Sequence, residues 1–393
     1  MPDGVKTIGE SAFLGCTSLK GPISIPSGVT QISKETFKNC SLLDRIKIPS
    51  SVIDIKENAF DACSGLEEVK FADGSKLTTI GSYVFRGCSS LTNIEIPSKL
   101  MEIGSYSFNG CSNLENVSFA NGSKLTTIRS YAFKDCSKLS GITIPNTVTL
   151  IESSVFSNCI GLAGTVTIPS GVKSVGTYAF ANCSNLTDVI FAEGSEITKF
   201  EYYMFDGCTR LARVVIPASV KSINVYAFRN CSSLETAYYG GTSDGEWNRI
   251  TIGASNDSLT SDKVRYYSED VPETQNVYWH YADGSPAIWN VKPSDFKYTE
   301  IKDKNNNIVA YAVTKYTGQD TSITIPSTYN NKPVTQVGSG SGSDSSGIPS
   351  FTYGNARNIT IPKSVTTISD YAFQGSSTTK SQIKSVKFAK GSQ

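Results

Sequence analysis

The stretch VIDIKENAFDAC at residues 52–63, completed by the segment LTNIEIP at residues 91–97, contains the pattern that decides the fold. The pattern reads V-x-x-I-x-x-x-A-F-x-x-C-x-x-L-x-x-I-x-I-P and recurs along the first 239 residues. Its cysteine returns at intervals of 23 to 25 residues, at Cys16, Cys40, Cys63, Cys88, Cys111, Cys136, Cys159, Cys183, Cys208 and Cys231. A fixed period of this size is typical of repeat proteins.

Two more columns repeat with the cysteine. Every one of these cysteines has Phe three residues before it and Leu three residues after it, as Phe60 and Leu66 flank Cys63. The extra residues of the longer intervals fall in turns, for example Gly21 and Gly164. Turns tolerate insertions, so the register of the stacked units is preserved.

One repeat is expected to contain a strand and a turn. Residues 43–48 alternate apolar and polar side chains, which predicts a strand with one buried face. Pro49 ends that strand, because proline has no N–H to donate. The Ala-Phe-x-x-Cys segment is too short for a full helix and predicts a turn or a 3₁₀ segment. A unit of this length cannot bury its own apolar face, so we expect a mainly β, right-handed solenoid with parallel strands.

The repeat resembles the BspA-like class of leucine-rich repeat found in bacterial cell-surface and secreted proteins. The resemblance covers residues 1–239 and most of 297–393. It implies a curved solenoid with a parallel sheet on the concave face. It also implies a cell-surface or secreted location and a role in adhesion or recognition, and it does not imply catalysis.

The sequence predicts three regions. Residues 1–239 form the first array of ten repeats, residues 240–296 an irregular capping repeat, linker and hairpin, and residues 297–393 a second array truncated at its C-terminal end. The first region boundary is followed by a capping-box pattern, Ser243 with Glu246, that predicts a short helix over about 244–249. Residues 264–267 predict one more strand. Both ends of the chain lie within a repeat, so we expect a piece of a longer protein whose truncated start would remove any signal peptide.

Two hairpins are predicted beyond residue 275. The first joins residues 278–281 to 287–289 through an Asp-Gly turn at 283–284. The second joins residues 298–301 to 308–316 through the polar tip 303–307. This tip begins like a calcium loop but lacks the glycine and glutamate that an EF-hand needs, so no metal site is predicted there.

Charge and composition limit the classes of partner and site that the chain is expected to have. The chain has 36 Lys and Arg against 35 Asp and Glu, which gives no electrostatic reason to expect nucleic acid or an anionic membrane. It contains no apolar run near the roughly 18 residues of a membrane-spanning helix. His280 is the only histidine, which excludes catalytic designs with two histidines and most zinc sites. We expect no cofactor, no metal and a monomer.

The cysteines have two interpretations. An even number in a secreted protein is compatible with disulfides. The alternative is a column of buried thiols that pack as small apolar groups. The second is favoured, because Phe, Cys and Leu share one phase of the repeat and because stacked cysteines point the same way, which is a poor geometry for a disulfide.

The outward residues of the strands are the candidate binding site. This column is basic near its start, where Arg45, Lys47 and Lys70 lie. It becomes apolar at Ile190, Val215 and Tyr238, with Arg213 beside them. An exposed apolar patch of this kind indicates a recognition site. The alternative is that residues 240–296 fold over the patch and bury it.

Aromatic side chains offer two further candidates. A column lies two residues before each Phe and comprises Tyr83, Tyr106, Tyr131, Ser154, Tyr178, Tyr203, Tyr226 and, later, Tyr371. It could stack on glycans or, as we favour, shield the Phe column while its hydroxyls meet water. Trp279, Tyr281 and Trp289 could likewise form a sugar platform, but packing within a small sheet is favoured. His280 could be a ligand or a base, but the sequence identifies no catalytic or metal-binding residue to act with it.

The leading hypothesis is a non-enzymatic surface scaffold that binds a host protein, another cell or a glycan. The alternative is a structural spacer that presents a domain absent from this chain. An enzyme would need facing Asp or Glu pairs, and no such pair has a compelling spacing.

Overall fold

The computed structural model describes residues 1–268, 272, 277–282, 285–288, 293–338, 351, 353–373 and 382–389. The chain forms two compact units, Met1–Val264 and Arg265–Gln393. The fold is mainly β and solenoidal, as the repeat pattern predicts. Within the described residues, a single four-residue segment is α-helical.

Each coil of the first unit contributes a long strand and then a short strand, and each pairs in parallel with its counterpart in neighbouring coils. In chain order, odd numbers being the long strands, they are β1 (Pro22–Ser24), β2 (Gln31–Ile32), β3 (Arg45–Ile48), β4 (Asp54–Ile55), β5 (Glu68–Phe71), β6 (Thr79–Ile80), β7 (Asn93–Ile96), β8 (Glu102–Ile103), β9 (Asn116–Phe119), β10 (Thr127–Ile128), β11 (Gly141–Ile142), β12 (Leu150–Ile151), β13 (Gly164–Ile168), β14 (Ser174–Val175), β15 (Leu186–Phe191), β16 (Lys199–Phe200), β17 (Arg213–Ile216), β18 (Ser222–Ile223), β19 (Thr236–Tyr239) and β20 (Thr251–Ile252).

The strands form several parallel runs along the unit. Long strands pair as β1-β3-β5, as β7-β9-β11 and as β13-β15-β17-β19. Short strands pair from β2 to β14 and again from β16 to β20. In β3, the residues Ile46 and Ile48 are buried while Arg45 and Lys47 are exposed, which confirms the predicted alternation.

The Ala-Phe-x-x-Cys segment forms hydrogen-bonded turns on the third side of each coil. The N–H of Phe60 donates to the carbonyl of Val84 in the next coil at 2.9 Å, and the N–H of Cys63 donates to the carbonyl of Phe60 at 3.2 Å. Two residues per coil adopt positive φ here, as Asn58 (57°) and Ala62 (58°) do. These two left-handed residues reverse the chain direction within the segment, so it forms turns in place of a helix.

The core of the first unit is a column of phenylalanine rings. Successive rings from Phe13 to Phe228 stack with centroids 5.0 to 5.8 Å apart. From Phe37 to Phe228 these rings are fully buried. Burying a phenylalanine is worth roughly 1.5–3 kcal/mol, so this column is a large share of the stabilisation of each coil.

The predicted column of buried thiols is confirmed. All ten cysteines are free; Cys16, in the first coil, is exposed and the other nine are buried. Each buried thiol donates to the carbonyl oxygen of the phenylalanine of the preceding coil, with Sγ–O distances of 3.0 to 3.4 Å. Cysteine therefore fills a small apolar space and also satisfies a buried carbonyl group.

The last part of the first unit is irregular. The helix α1 spans Asp244–Trp247; the Ser243 side chain accepts from the Glu246 N–H at 3.3 Å, as the capping-box pattern predicts. The helix ends two residues earlier than expected. Trp247 is buried and meets Tyr239 edge to face, with ring centroids 5.3 Å apart.

Asn256 replaces a backbone group of the regular coil. Its Oδ1 accepts from the Phe228 N–H at 2.9 Å, where earlier phenylalanines donate to a carbonyl of the next coil. Its Nδ2 donates to the carbonyls of Asn224 and Gly253. One buried side-chain amide thus satisfies the backbone at the end of this run of coils.

The strands beyond β20 include both predicted hairpins. They are β21 (Val264–Tyr267), β22 (Tyr278–Ala282), β23 (Ser285–Ile288), β24 (Phe296–Lys302), β25 (Ile308–Tyr316), β26 (Ser322–Thr324), β27 (Thr328–Tyr329), β28 (Lys332–Val337), β29 (Asn358–Ile361), β30 (Thr367–Ile368) and β31 (Ser385–Phe388), with 3₁₀ turns at Ser261–Lys263 and Pro293–Asp295. The predicted strand over 264–267 is β21. The hairpins β22-β23 and β24-β25 are antiparallel. The Asp-Gly turn of the first hairpin lies outside the described residues.

The second unit returns to repeat-like pairing. Strands β26, β29 and β31 pair in parallel, and its core includes Val313, Val334, Val337 and Phe351, all fully buried. At the tip of the second hairpin the Asp303 carboxylate accepts from the N–H groups of Asn305 and Asn307. These hydrogen bonds lower the pKa of Asp303 and give its carboxylate a structural role in the turn.

Thiol accessibility tests the cysteine column. Because burial raises the pKa of Cys63 and Cys111 to about 12, and because nine thiols are enclosed, we expect a thiol reagent to label one cysteine per native chain at neutral pH. Ten should be labelled after denaturation. A Cys16→Ser variant should lose the native labelling, and rapid native labelling of several thiols would contradict the buried column.

The phenylalanine column can be tested at one ring. We expect Phe133→Ala to lower the free energy of unfolding by about 3–5 kcal/mol, because it removes a fully buried ring stacked on both sides. Urea unfolding followed by circular dichroism measures this change. Thr167→Ala, at an exposed strand position, is the control and should change stability by less than about 0.5 kcal/mol. A similar loss in both variants would refute the proposed importance of the column.

Candidate functional site

Two surfaces of the first unit carry the candidate binding residues. The strand face is the outward side of the long strands. The tyrosine ladder is the column two positions before each Phe, formed by Tyr83, Tyr106, Tyr131, Ser154, Tyr178, Tyr203 and Tyr226. Both exist because the repeat places one residue per coil at the same position of the stack.

The basic part of the strand face is exposed. Arg45 and Lys47 lie on β3 and Lys70 lies on β5, and all three side chains face solvent. Parallel pairing places Lys47 opposite Lys70 and Arg45 opposite Glu68. Within the described residues, none of the three cations makes a salt bridge. Like charges on paired positions repel, so an anionic partner would relieve an unfavourable interaction.

The apolar part of the strand face is not an exposed patch. Ile190 is 8% exposed, Val215 is 1% exposed and Tyr238 is 5% exposed. The expectation that these three residues form an exposed apolar patch was therefore wrong, because all three are buried. The physical reason is that removing apolar surface from water lowers the free energy, by about 25 cal/mol for each Å² buried.

Arg213 is exposed but has a partner. Its guanidinium donates to the carboxylate of Asp188, which lies opposite it on the neighbouring strand and is buried. This hydrogen bond raises the pKa of Arg213. The sequence interpretation overlooked Asp188, although the 25-residue step from Asp188 to Arg213 places both at the same position of the stack.

The rings of the tyrosine ladder stack on one another in two groups of three. Centroid distances are 4.8 Å for Tyr83–Tyr106 and 4.4 Å for Tyr106–Tyr131. They are 4.5 Å for Tyr178–Tyr203 and 4.8 Å for Tyr203–Tyr226. Within each group, the faces that neighbouring rings turn towards each other are in contact, so a ligand cannot stack between them. This arrangement supports the interpretation that the ladder shields the coil.

The ladder position requires an unusual backbone. The six tyrosines have φ between 57° and 65°, and Ser154 has φ of 56°. A left-handed conformation is uncommon for a bulky residue and costs of order 1–3 kcal/mol. The ring stacking offsets part of this cost, since neighbouring coils hold each ring in place.

Arginine side chains make cation–π contacts with rings of the ladder. The Arg86 guanidinium lies 4.9 Å from the Tyr83 ring centroid and donates two hydrogen bonds of 2.8 Å to the buried Asp61 carboxylate. Arg229 lies 5.0 Å from the rings of both Tyr203 and Tyr226 and pairs with Asp206 in the same way. The hydrogen bonds that Arg86 donates to Asp61 raise the pKa of Arg86.

These Asp–Arg pairs were missed in the sequence interpretation. The sequence does contain a signal for these pairs. All four residues occupy one position of the repeat, directly after its phenylalanine: Asp61, Arg86, Asp206 and Arg229. In each pair the acid precedes the arginine by one coil. Stacking of the coils therefore brings opposite charges together although 23 or 25 residues separate them.

In the hairpin β22-β23, Trp279 is not accessible for stacking against a sugar. Trp279 is fully buried, as the packing interpretation expects. His280 is 9% exposed. The Tyr281 side chain and Trp289 lie outside the described residues.

Neither a metal-binding cluster nor a membrane-spanning helix occurs along the part of the chain that the structure describes. There, no three His, Cys, Asp or Glu side chains come close enough together to hold a metal ion. None of the helices found there has the length and apolar character needed to cross a membrane.

Comparisons with solved structures return leucine-rich repeat proteins of bacteria. A leucine-rich repeat protein of T. pallidum is 30% identical, over 42% of this chain and 74% of that one, with a TM-score of 0.37. One from Bacteroides ovatus ATCC 8483 is 21% identical, over 97% and 87%, with a TM-score of 0.44. A leucine rich cell surface protein from Faecalibacterium prausnitzii A2-165 is 26% identical, over 58% and 90%, with a TM-score of 0.26.

Sequence comparison assigns the family directly. No curated protein sequence matches the chain. The family model for the BspA type leucine rich repeat region (6 copies) matches residues 1–115, 74–187, 162–243 and 321–391, which together exceed half of the chain. The chain belongs to the BspA-type leucine-rich repeat family.

Proposed function

We propose that the chain is a non-enzymatic binding scaffold, at the bacterial cell surface or secreted, that binds an extracellular macromolecule through the basic part of its strand face. The partner is a host protein, another cell or a glycan that presents negative charge. Family membership supports the scaffold role. The location is supported by the family and by the name of one structural neighbour, a leucine rich cell surface protein.

One observation carries the choice of surface. Lys47 and Lys70 lie side by side, exposed and without a salt bridge among the described residues, and Arg45 is beside them. Their Cα atoms are partners on paired strands, so both charges are carried on the same small area of the surface. Two like charges held on neighbouring strands attract an anionic surface and raise its association rate.

The buried groups support a scaffold over an enzyme. Burial raises the pKa of the thiols of the coil interior, so these cysteines are poor nucleophiles at neutral pH. The buried Asp61, Asp188 and Asp206 carboxylates are each engaged by an arginine. These groups have structural partners in place of a substrate.

Charge reversal tests the proposed surface. We expect Lys47→Glu combined with Lys70→Glu to weaken binding to a captured partner at least about tenfold, with most of the change in the association rate. The matched control is Lys99→Glu with Lys124→Glu, which makes the same change in net charge at exposed positions outside the strands. The measurement is biolayer interferometry against extracellular-matrix proteins, mucins, glycans and bacterial cells.

Salt separates specific from general attraction in the same experiment. Binding through exposed cations should weaken as salt rises, because the Debye length is about 8 Å at physiological ionic strength. Equal loss in the test and control variants would mean that net charge alone attracts the partner. If the chain bound none of these partners, the proposed function would be rejected.

A further inference from the structure

The tyrosine ladder is interrupted at Ser154, where the backbone is unchanged and only the aromatic ring is missing. Ser154 keeps the backbone conformation of the ladder, with φ of 56°. The N–H of Tyr131 donates to the carbonyl of Ser153, and the N–H of Ser154 donates to that of Thr177, both at 2.9 Å. The coil spacing is therefore kept at this point, and the short Ser154 side chain takes the place of a ring between Tyr131 and Tyr178.

Two ring faces border this space. Tyr131 stacks on Tyr106 and Tyr178 stacks on Tyr203, so each has one face directed towards the coil of Ser154. Two coil steps place these faces roughly 9–10 Å apart. Tyr178 is 38% exposed, whereas the other tyrosines of the ladder are half-buried.

The other groups at this space are polar. The Ser154 residue is 6% exposed, and its hydroxyl makes no hydrogen bond to the residues that the structure describes. The Lys134 Nζ lies 5.8 Å from the centroid of the Tyr131 ring, and the described part of the chain offers it no salt bridge. The position of the missing ring thus lies between two tyrosine rings, with the Ser154 hydroxyl at its base and the Lys134 ammonium group over the Tyr131 ring.

We propose that this space, the Ser154 slot (Tyr131, Lys134, Ser154 and Tyr178), binds one pyranose ring of a carbohydrate. A pyranose presents C–H groups on its two faces and hydroxyl groups around its edge. Inserted edge first, its faces would contact both tyrosine rings at about 4.5–5 Å from each centroid, within the range of ring contacts. The leading hydroxyl would pair with Ser154, and an outer substituent would face Lys134.

The polar groups favour a sugar over an aromatic side chain in this slot. An aromatic ring has the right thickness, since the ladder itself stacks rings at 4.4 to 4.8 Å. It would, however, cover the Ser154 hydroxyl without giving it a hydrogen-bond partner, which is unfavourable. A sugar hydroxyl satisfies that group. The Lys134 ammonium further favours a sugar with a carboxylate over a neutral one.

The slot is a second site, separate from the basic part of the strand face. It uses the turn side of the coils, where the ladder lies, while Lys47 and Lys70 lie on the long strands. The two sites can therefore be tested independently. A single pyranose in an open slot is expected to bind with millimolar affinity.

The experiment is a titration of the full chain with methyl glycosides, followed by saturation-transfer NMR. The probes are glucose, galactose and N-acetylglucosamine as neutral sugars and glucuronic acid as an acidic one. Ser154→Tyr fills the slot with the missing ring and should reduce binding at least tenfold without lowering the melting temperature. Ser154→Ala keeps the slot open and should reduce binding only a few-fold, through the lost hydrogen bond.

Two further variants test the wall and the cation. Tyr178→Asn removes one wall, and asparagine already occupies this ladder position at Asn58; it should weaken every sugar at least tenfold. Lys134→Gln should weaken glucuronic acid several-fold and leave neutral sugars nearly unchanged. The strand-face variant Lys47→Glu with Lys70→Glu should bind neutral sugars as the unaltered chain does.

The results separate the slot from the proposed scaffold function. Loss of sugar binding in Ser154→Tyr but not in the strand-face variant would support the slot. Equal binding by Ser154→Tyr and the unaltered chain, or no binding of any pyranose at high millimolar concentration, would overturn it. Either negative result would leave macromolecular binding by the strand face to its own test.

Discussion

The hydrogen bonds that join one coil to the next are the constraint on which the rest of this structure depends. They run along the long strands, the short strands and the turns, and they hold equivalent residues of successive coils about 4.8 Å apart. At that spacing a phenylalanine ring can stack on the ring of the next coil. A cysteine can reach the carbonyl of the preceding coil. Each column of the repeat is therefore a continuous physical interaction.

The same spacing explains how the surface acquires its chemistry. A residue that changes from one coil to the next acts on its neighbours in the column, so charges separated by more than twenty residues form pairs such as Asp61 with Arg86. Where two neighbours are alike, as Lys47 and Lys70 are, the column leaves a charge that can attract a partner. Where one ring is missing, at Ser154, the column has a short polar side chain between two groups of stacked tyrosines. Both surfaces proposed to bind a ligand are thus irregularities in a regular stack.

Much of the first unit could be read from the sequence because its interactions repeat. The alternation in Arg45–Ile48, the proline after it and the shared phase of Phe, Cys and Leu all have one local meaning in every coil. The capping box at Ser243 and Glu246 likewise marks the start of a helix from local chemistry alone. The end of that helix and the role of Asn256 were not readable, because Asn256 acts on Phe228, 28 residues away.

The sequence by itself determined the period, the strand-and-turn coil, the buried thiol column and the positions that share a face. Each of these depends on contacts that recur with the repeat, so their pattern is visible along the chain. Only the tertiary structure decided that Ile190, Val215 and Tyr238 are buried and that Arg213 is paired with Asp188. It also decided that the tyrosine rings face one another. Exposure and pairing depend on which groups lie nearby in space, and the sequence pattern of a single column does not contain that information.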